Sequence, residues 1–139
     1  MRVLALDIGQ VRCGIAISDP AGKIATPLCV LPMAEVEKHA PSFKRLLQDW
    51  EPELILSGLP LTMSHAQGPQ AQRVKALAQK VAENCKLPLE FADERFSSKD
   101  AKRILREQGL REAEMRGRVD MIAASLMLQA WLDSHQDQQ

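Results

Sequence analysis

The sequence has few of the residues that build many common reactive centres. Its 139 residues include three cysteines, three histidines, three phenylalanines, two tryptophans and no tyrosine. The cysteines are far apart without a C-x-x-C pair, and no H-E-x-x-H or G-x-S-x-G motif occurs. Zinc sites, redox dithiols and serine-hydrolase triads are therefore not indicated, and we expect the cysteines to be reduced core residues. The scarcity of aromatic side chains also argues against base stacking on an aromatic platform.

Long apolar runs and a net charge are also missing. No stretch reaches the ~18 apolar residues of a membrane span, and the apolar start, interrupted by Asp7, is too brief for a signal-peptide core. The 18 basic and 18 acidic residues cancel, which argues against a blanket affinity for nucleic acid. We expect a cytoplasmic protein without membrane association. It should form one domain over residues 1–139, with a solvated tail at 134–139.

The order of the apolar segments predicts an α/β fold with a mixed sheet. Three strand-like runs come first, joined by short turns, and predict an antiparallel meander with Pro27 at an edge or a bulge. Runs near residues 54–58 and 89–92 are each preceded by a helical pattern, which predicts crossovers and hence parallel strands four and five. We therefore predict a five-stranded sheet covered by helices on both faces.

Helix-start signals place the predicted helices in the chain. Three of them open with a proline or a capping box, at Pro41, Pro69 and Ser97. A last helix begins near Val119, and its periodicity predicts an inward stripe of five residues. These are Val119, Ile122, Ala123, Leu126 and Ala130.

Three acids occupy positions that local structure does not explain. Asp7 closes the first strand, Glu94 follows the fifth, and Asp120 lies near the start of the last helix. A carboxylate in a buried strand is costly unless it is paired, hydrogen-bonded or bound to a cation, although Asp7 could instead cap the following turn. Converging carboxylates suit Mg²⁺ or Mn²⁺, and two such ions about 4 Å apart promote phosphodiester cleavage.

Basic residues are concentrated in one segment between residues 95 and 118. It has eight basic residues against four acidic ones, a net charge of +4. Such a run is usually a solvated helical face. Beside the acids, it would instead offer phosphate oxygens a positive rim. The basic residues are Arg95, Lys99, Lys102, Arg103, Arg106, Arg111, Arg116 and Arg118.

Five short motifs, in this order and at this chain length, resemble the YqgF (RuvX) family over nearly the whole chain. They are Leu6-Asp7-Ile8-Gly9 with Arg12 and Gly14, Gly58-Leu59-Pro60-Leu61, Gly68-Pro69-Gln70-Ala71, Asp93-Glu94-Arg95, and Val119-Asp120 ahead of Ala123-Ala124. The resemblance implies an RNase H-like fold. It also implies the activity of a nuclease that trims the precursor of 16S ribosomal RNA, or of a Holliday junction resolvase.

The resemblance assigns roles to particular residues. It implies that Asp7, Glu94 and Asp120 are the catalytic acids and bind two Mg²⁺ or Mn²⁺ ions. Related resolvases have an acid at the end of the fourth strand, where this chain has none, so Glu94 would supply that role. Asp93 is the competitor, but adjacent strand residues face opposite sides. The expected nucleic-acid-binding residues are Arg12, Arg95, Lys99, Lys102, Arg103, Arg116 and Arg118.

Two departures from the family pattern bear on the substrate. The loop after the fourth strand has Thr62-Met63-Ser64-His65 in place of Asn-Met-Asp-Gly, and Met121 replaces a common lysine. We expect a structured nucleic acid as partner, with processing of the 5′ end of pre-16S rRNA ahead of junction resolution. A non-catalytic RNA-binding protein and an actin-like or sugar-kinase-like ATPase remain as alternatives. An end-trimming enzyme could act as a monomer, whereas a two-fold junction would require a homodimer.

Overall fold

The computed structural model describes residues 1–60, 68–93, 103–109, 111 and 117–135. Within these ranges five strands form one sheet in the order β3-β2-β1-β4-β5. The strands are β1 Val3–Ile8, β2 Arg12–Ser18, β3 Ala25–Pro32, β4 Leu54–Leu59 and β5 Leu89–Asp93. Strands β1 to β3 pair antiparallel, whereas β4 runs parallel to β1 and β5 parallel to β4. The predicted mixed sheet is confirmed.

Helices pack on both faces of this sheet, as predicted. They are α1 Met33–Glu37, α2 Pro41–Trp50, α3 Pro69–Cys85 and α4 Val119–His135. Prolines begin α2 and α3 as expected, because a first helical residue needs no N–H donor. The single turn α1 was not predicted. The start of the helix expected at Ser97 lies outside the described residues, but residues 103–107 are helical and Leu105 is buried.

Alternation along β1 divides the core into two layers. Leu4, Leu6 and Ile8 pack with α1, α2 and α3. Val3 and Ala5 pack on the other face, against α4. Since both faces are covered, β1 is apolar along its length except at Asp7.

The third strand and the cysteines also follow the sequence expectations. Strand β3 is an edge of the sheet, and its pairing with β2 shifts at Ile15 and Ala16, where Pro27 lies opposite Ala16. The cysteines are free, and burial raises the pKa of the Cys29 thiol and raises that of Cys85 to about 11. These two thiols therefore stay protonated near neutral pH and are poor nucleophiles.

The inward face predicted for α4 was partly wrong. Ala123 is buried as expected, but Ala130 is exposed and Leu126 is only half-buried. The residues that pack on the sheet are Ala124, Met127, Leu128 and Leu132. Apolar residues occur on almost every side of this helix, so its periodicity does not select one face.

The end of α4 also differs from the sequence expectation. Ser134 and His135 were expected in a flexible tail, but both belong to the helix. Within this last turn, the His135 ring stacks on Trp131 with a centroid separation of 4.0 Å. The remainder of the expected tail, residues 136–139, lies outside the described residues. None of the helices in the described ranges is long and apolar enough to cross a membrane.

Candidate active site

Asp7 lies near the carboxyl end of β1, the central strand, on the face covered by α4. It follows Val3 and Ala5 in the alternation, and its residue is partly buried. Across the antiparallel pair, Asp7 lies opposite Gly14. On its other side β1 pairs with β4, and the last pair in that register is Leu6 with Ser57. Extending the register by one residue places Gly58 beside Asp7. Asp7 is therefore flanked on its own face by two residues without side chains.

The first turn of α4 rests directly on Gly14. A Cβ atom added to Gly14 would lie 2.0 Å from the main-chain oxygen of Asp120 and 2.8 Å from its Cβ. Only glycine permits this approach, because real Cβ atoms do not come so close to a neighbouring backbone. Since Gly14 is the cross-strand partner of Asp7, the contact brings Asp120 next to Asp7. The first turn of α4 thus places Asp120 beside the strand position of Asp7, although the two predicted acids are 113 positions apart in the sequence.

The third acid, Glu94, lies outside the described residues. Its competitor Asp93 is the last residue of β5 and pairs with Leu59. Asp93 shares a strand face with Phe91, which packs on the α1 to α3 side of the sheet, whereas Ala92 packs on the α4 side. Asp93 therefore faces away from Asp7, and Glu94 stays the predicted third acid. Within the described ranges, no three Asp, Glu, His or Cys residues come together as a metal site.

Arg12 pairs with one of the candidate acids. Its Nε donates to Oδ2 of Asp120 at 3.0 Å, and the two side chains are 57% and 26% exposed. The pair lines an open cleft of about 360 Å³ together with Gly9, Gln10 and Val11. An exposed ion pair contributes at most about 1 kcal/mol, so Asp120 can exchange Arg12 for another cation at little cost.

The turn between β1 and β2 is held from two sides. The Gly9 N–H donates to the Arg12 carbonyl at 2.9 Å, and a Cβ on Gly9 would lie 2.6 Å from that oxygen. From α3, Nη2 of Arg73 donates to the Gly9 carbonyl at 3.3 Å. Sequence reasoning missed Arg73. The sequence signal that could have indicated Arg73 is a charged residue one turn after Pro69 and directly before Val74, which is buried in α3.

Few of the predicted nucleic-acid contacts fall on described residues. Arg118 is exposed and directly precedes α4, where its carbonyl accepts the Ile122 N–H. Arg103 is exposed and pairs with Glu107 one helical turn away at 3.1 Å, as on an ordinary solvated helix. The other predicted contacts lie outside the described residues, as does the altered loop at 62–65. They are Arg95, Lys99, Lys102 and Arg116.

Comparison with known proteins identifies relatives over almost the full chain. The family model described as "RuvX: Holliday junction resolvase" matches residues 1–134. A protein of Anaeromyxobacter sp. (strain Fw109-5) is 41% identical over 133 residues, covering 96% of this chain and 97% of that protein. A protein of Syntrophomonas wolfei is 40% identical, covering 96% and 94%. Both carry the name "Putative pre-16S rRNA nuclease".

Solved structures share the fold at low sequence identity. The Thermus thermophilus RuvC in complex with a Holliday junction substrate superposes with a TM-score of 0.57 at 15% identity, covering 97% of this chain and 95% of that one. The fowlpox virus resolvase in complex with Holliday junction DNA gives a TM-score of 0.56 at 12% identity, covering 98% and 99%. At such identities the likeness concerns the arrangement of strands and helices alone.

Proposed function

Because this chain belongs to the RuvX family, we propose that it is a single-domain, divalent-metal-dependent nuclease that processes the 5′ end of pre-16S rRNA in the cytoplasm. The observation that supports the proposal is that Gly14, the cross-strand partner of Asp7 near the carboxyl end of the central strand, packs directly against the backbone of Asp120. Reactive groups in open α/β sheets gather at such ends. The names of the relatives supply the substrate class.

The donor set fits a hard divalent cation. Carboxylates brought close together repel each other unless positive charge lies between them, and carboxylate oxygens are the ligands that Mg²⁺ and Mn²⁺ prefer. Asp7 and Asp120 would hold the ions, with Glu94 as the third ligand. A bound cation of this kind lowers the pKa of a water and stabilises the leaving oxygen in phosphodiester hydrolysis.

The chain's own residues prepare this site for a phosphate backbone. Gly58 adds no side chain beside Asp7, whereas the space over Gly14 is filled by the first turn of α4. We therefore expect a phosphodiester to reach the carboxylate from the open cleft that Arg12 and Asp120 line. Arg12 holds Asp120 in place before substrate arrives and can then transfer its charge-assisted hydrogen bond to a phosphate oxygen. Arg118 adds a second positive charge at the start of α4. Binding would therefore read the backbone and its shape rather than base identity.

Junction resolution is the second candidate function. The description of the matching family model names it. A four-way junction needs two coordinated cuts, so this activity would require two copies of the chain related by a two-fold axis. End-processing of RNA requires one active site and is compatible with a monomer.

A substrate comparison tests the proposal. The protein is incubated with Mn²⁺ or with EDTA on a structured RNA that carries the 5′ precursor sequence of 16S rRNA, and on a four-way DNA junction. We expect Mn²⁺-dependent cleavage of the RNA at a rate above that of the junction. Faster cleavage of the junction would favour the second candidate. Binding of the RNA without any metal-dependent cleavage would overturn the nuclease assignment.

Replacing Arg12 with alanine should change metal binding and substrate binding in opposite directions. Freeing Asp120 from its ion pair should tighten Mn²⁺ binding by up to about fivefold, the effect of about 1 kcal/mol. Loss of a phosphate contact should raise the KM for RNA by about tenfold. Calorimetric titration with Mn²⁺ and steady-state cleavage measure the two effects.

A matched charge removal serves as the control for Arg12. Arg45 is exposed on α2, on the opposite face of the sheet from Asp120, so Arg45→Ala removes the same charge without touching the acids. Mn²⁺ affinity that is equal in both variants would contradict a role for Arg12 in holding Asp120.

A further inference from the structure

Arg73 is placed unusually for a residue of a packed helix. It lies one turn into α3, half-buried between the helix and the turn that follows β1. Its Nη2 donates to the Gly9 carbonyl at 3.3 Å. Its Nη1 is buried and has no hydrogen-bond partner among the residues that the structure describes. The guanidinium therefore uses only part of its donor capacity.

Fold stability does not account for an arginine at this position. Helix α3 is anchored to the sheet by Val74, Ala78, Val81 and Ala82, and these contacts do not involve residue 73. A buried donor without a partner costs free energy on folding, and more so in a charged group. An apolar side chain of similar length, such as methionine, would avoid this cost while filling the same space. Packing of α3 therefore does not by itself explain an arginine at position 73.

The Gly9 carbonyl belongs to the turn that connects the strand of Asp7 to Arg12. Gly9 follows Asp7 by two residues, and its N–H is bonded to Arg12, whose side chain holds Asp120. Helix α3 packs on the face of the sheet opposite α4. Arg73 therefore hydrogen-bonds to the turn from one face of the sheet, while Asp120 contacts Arg12 on the other face.

We propose that Arg73 is a positioning residue of the candidate active site, which fixes the Gly9 turn and thereby the spacing between Asp7 and the Arg12–Asp120 pair. The inference rests on the proposed nuclease function. Arg73 acts through the Gly9 carbonyl and touches neither the acids nor the substrate. Its role is to keep the turn from drifting when Arg12 releases Asp120.

The test compares Arg73→Met with the wild type, with Arg73→Lys as the conservative variant and Arg45→Met as the matched control. For Arg73→Met we expect kcat for RNA cleavage to fall by about 10 to 100-fold, as for other residues that orient metal ligands, while KM stays nearly constant and Tm is unchanged or raised. Arg73→Lys, which keeps one donor and the charge, should recover part of kcat. A fall in kcat that merely follows a fall in Tm, or no recovery with lysine, would overturn the proposal.

A second measurement is independent of catalysis. Amide hydrogen exchange at Gly9 reports the hydrogen bond between its N–H and the Arg12 carbonyl. In Arg73→Met we expect exchange at Gly9 to quicken at least about tenfold while amides in the middle of β1 and β4 keep their wild-type rates. Unchanged exchange at Gly9 would show that Arg73 does not hold the turn. Absence of cleavage by the wild type would sink the proposed function, and the exchange result would still decide on Arg73.

Discussion

Replacing Asp7 with asparagine is expected to lower kcat for RNA cleavage by roughly 1,000-fold while RNA binding is largely retained. Asparagine keeps the shape of the side chain but removes the charge. Unit charges about 4 Å apart interact by about 4 kcal/mol at an effective dielectric constant of 20, and each 1.4 kcal/mol or so is a factor of ten in rate. The RNA should still bind, because its affinity depends on basic residues rather than on this acid.

Single-turnover cleavage and a filter-binding titration separate these two quantities. Asp49→Asn is the matched control, since Asp49 is exposed on α2, on the other face of the sheet. Full activity of Asp7→Asn with wild-type metal dependence would remove Asp7 from the site. The same assay applied to Glu94→Gln and Asp93→Asn identifies the third acid. We expect Glu94→Gln to lose cleavage and Asp93→Asn to keep it, because Asp93 faces the opposite side of the sheet.

Replacing Gly14 with alanine is the second large effect that we expect. The added methyl group would occupy space 2.0 Å from the main-chain oxygen of Asp120, so the first turn of α4 must move. Overpacking of this kind costs about 1 to 3 kcal/mol in free energy of unfolding. A shift of about 1 Å in a reacting group lowers the rate by roughly 100-fold, so cleavage should fall even in the folded fraction.

Urea unfolding and cleavage at a temperature where the variant is folded measure the two consequences of Gly14→Ala. Gly117→Ala is the control, because it adds the same methyl group just before α4, where no atom of the described residues lies within 4 Å of the added carbon. We expect nearly wild-type stability and activity for Gly117→Ala. If both variants behaved alike, the contact between Gly14 and Asp120 would not set the position of the acid.

Local patterns in the sequence were sufficient for the sheet. Alternation, turn residues and proline positions specify which segments are strands, and the rule that crossovers join parallel strands gives their direction. The bulge opposite Pro27 follows from the missing N–H donor of that residue. The single turn α1 escaped prediction because five residues between a strand and a longer helix carry too little periodic signal.

The docking of α4 was harder to predict, for a physical reason. Its apolar residues surround the helix, so burial alone does not prefer Leu126 over Leu128. The docked helix makes a long-range contact between Asp120 and a glycine in β2, and nothing in the local sequence distinguishes that glycine from the other six. Arg73 was missed for the same reason, since its partner is a main-chain carbonyl 64 positions away.

The contact between α4 and the first hairpin has a consequence for the order of events during synthesis. Strands β1 and β2 leave the ribosome first, whereas the helix that covers them is made more than a hundred residues later. Until α4 emerges, the face that carries Asp7 lacks both its apolar cover and its second acid. Docking α4 on the first hairpin closes a long loop, and the entropy cost of that closure comes before any packing stabilises the contact. The two candidate acids therefore come together late, and under the proposed function a nascent chain that still lacks α4 would have no assembled site with which to cut nucleic acid.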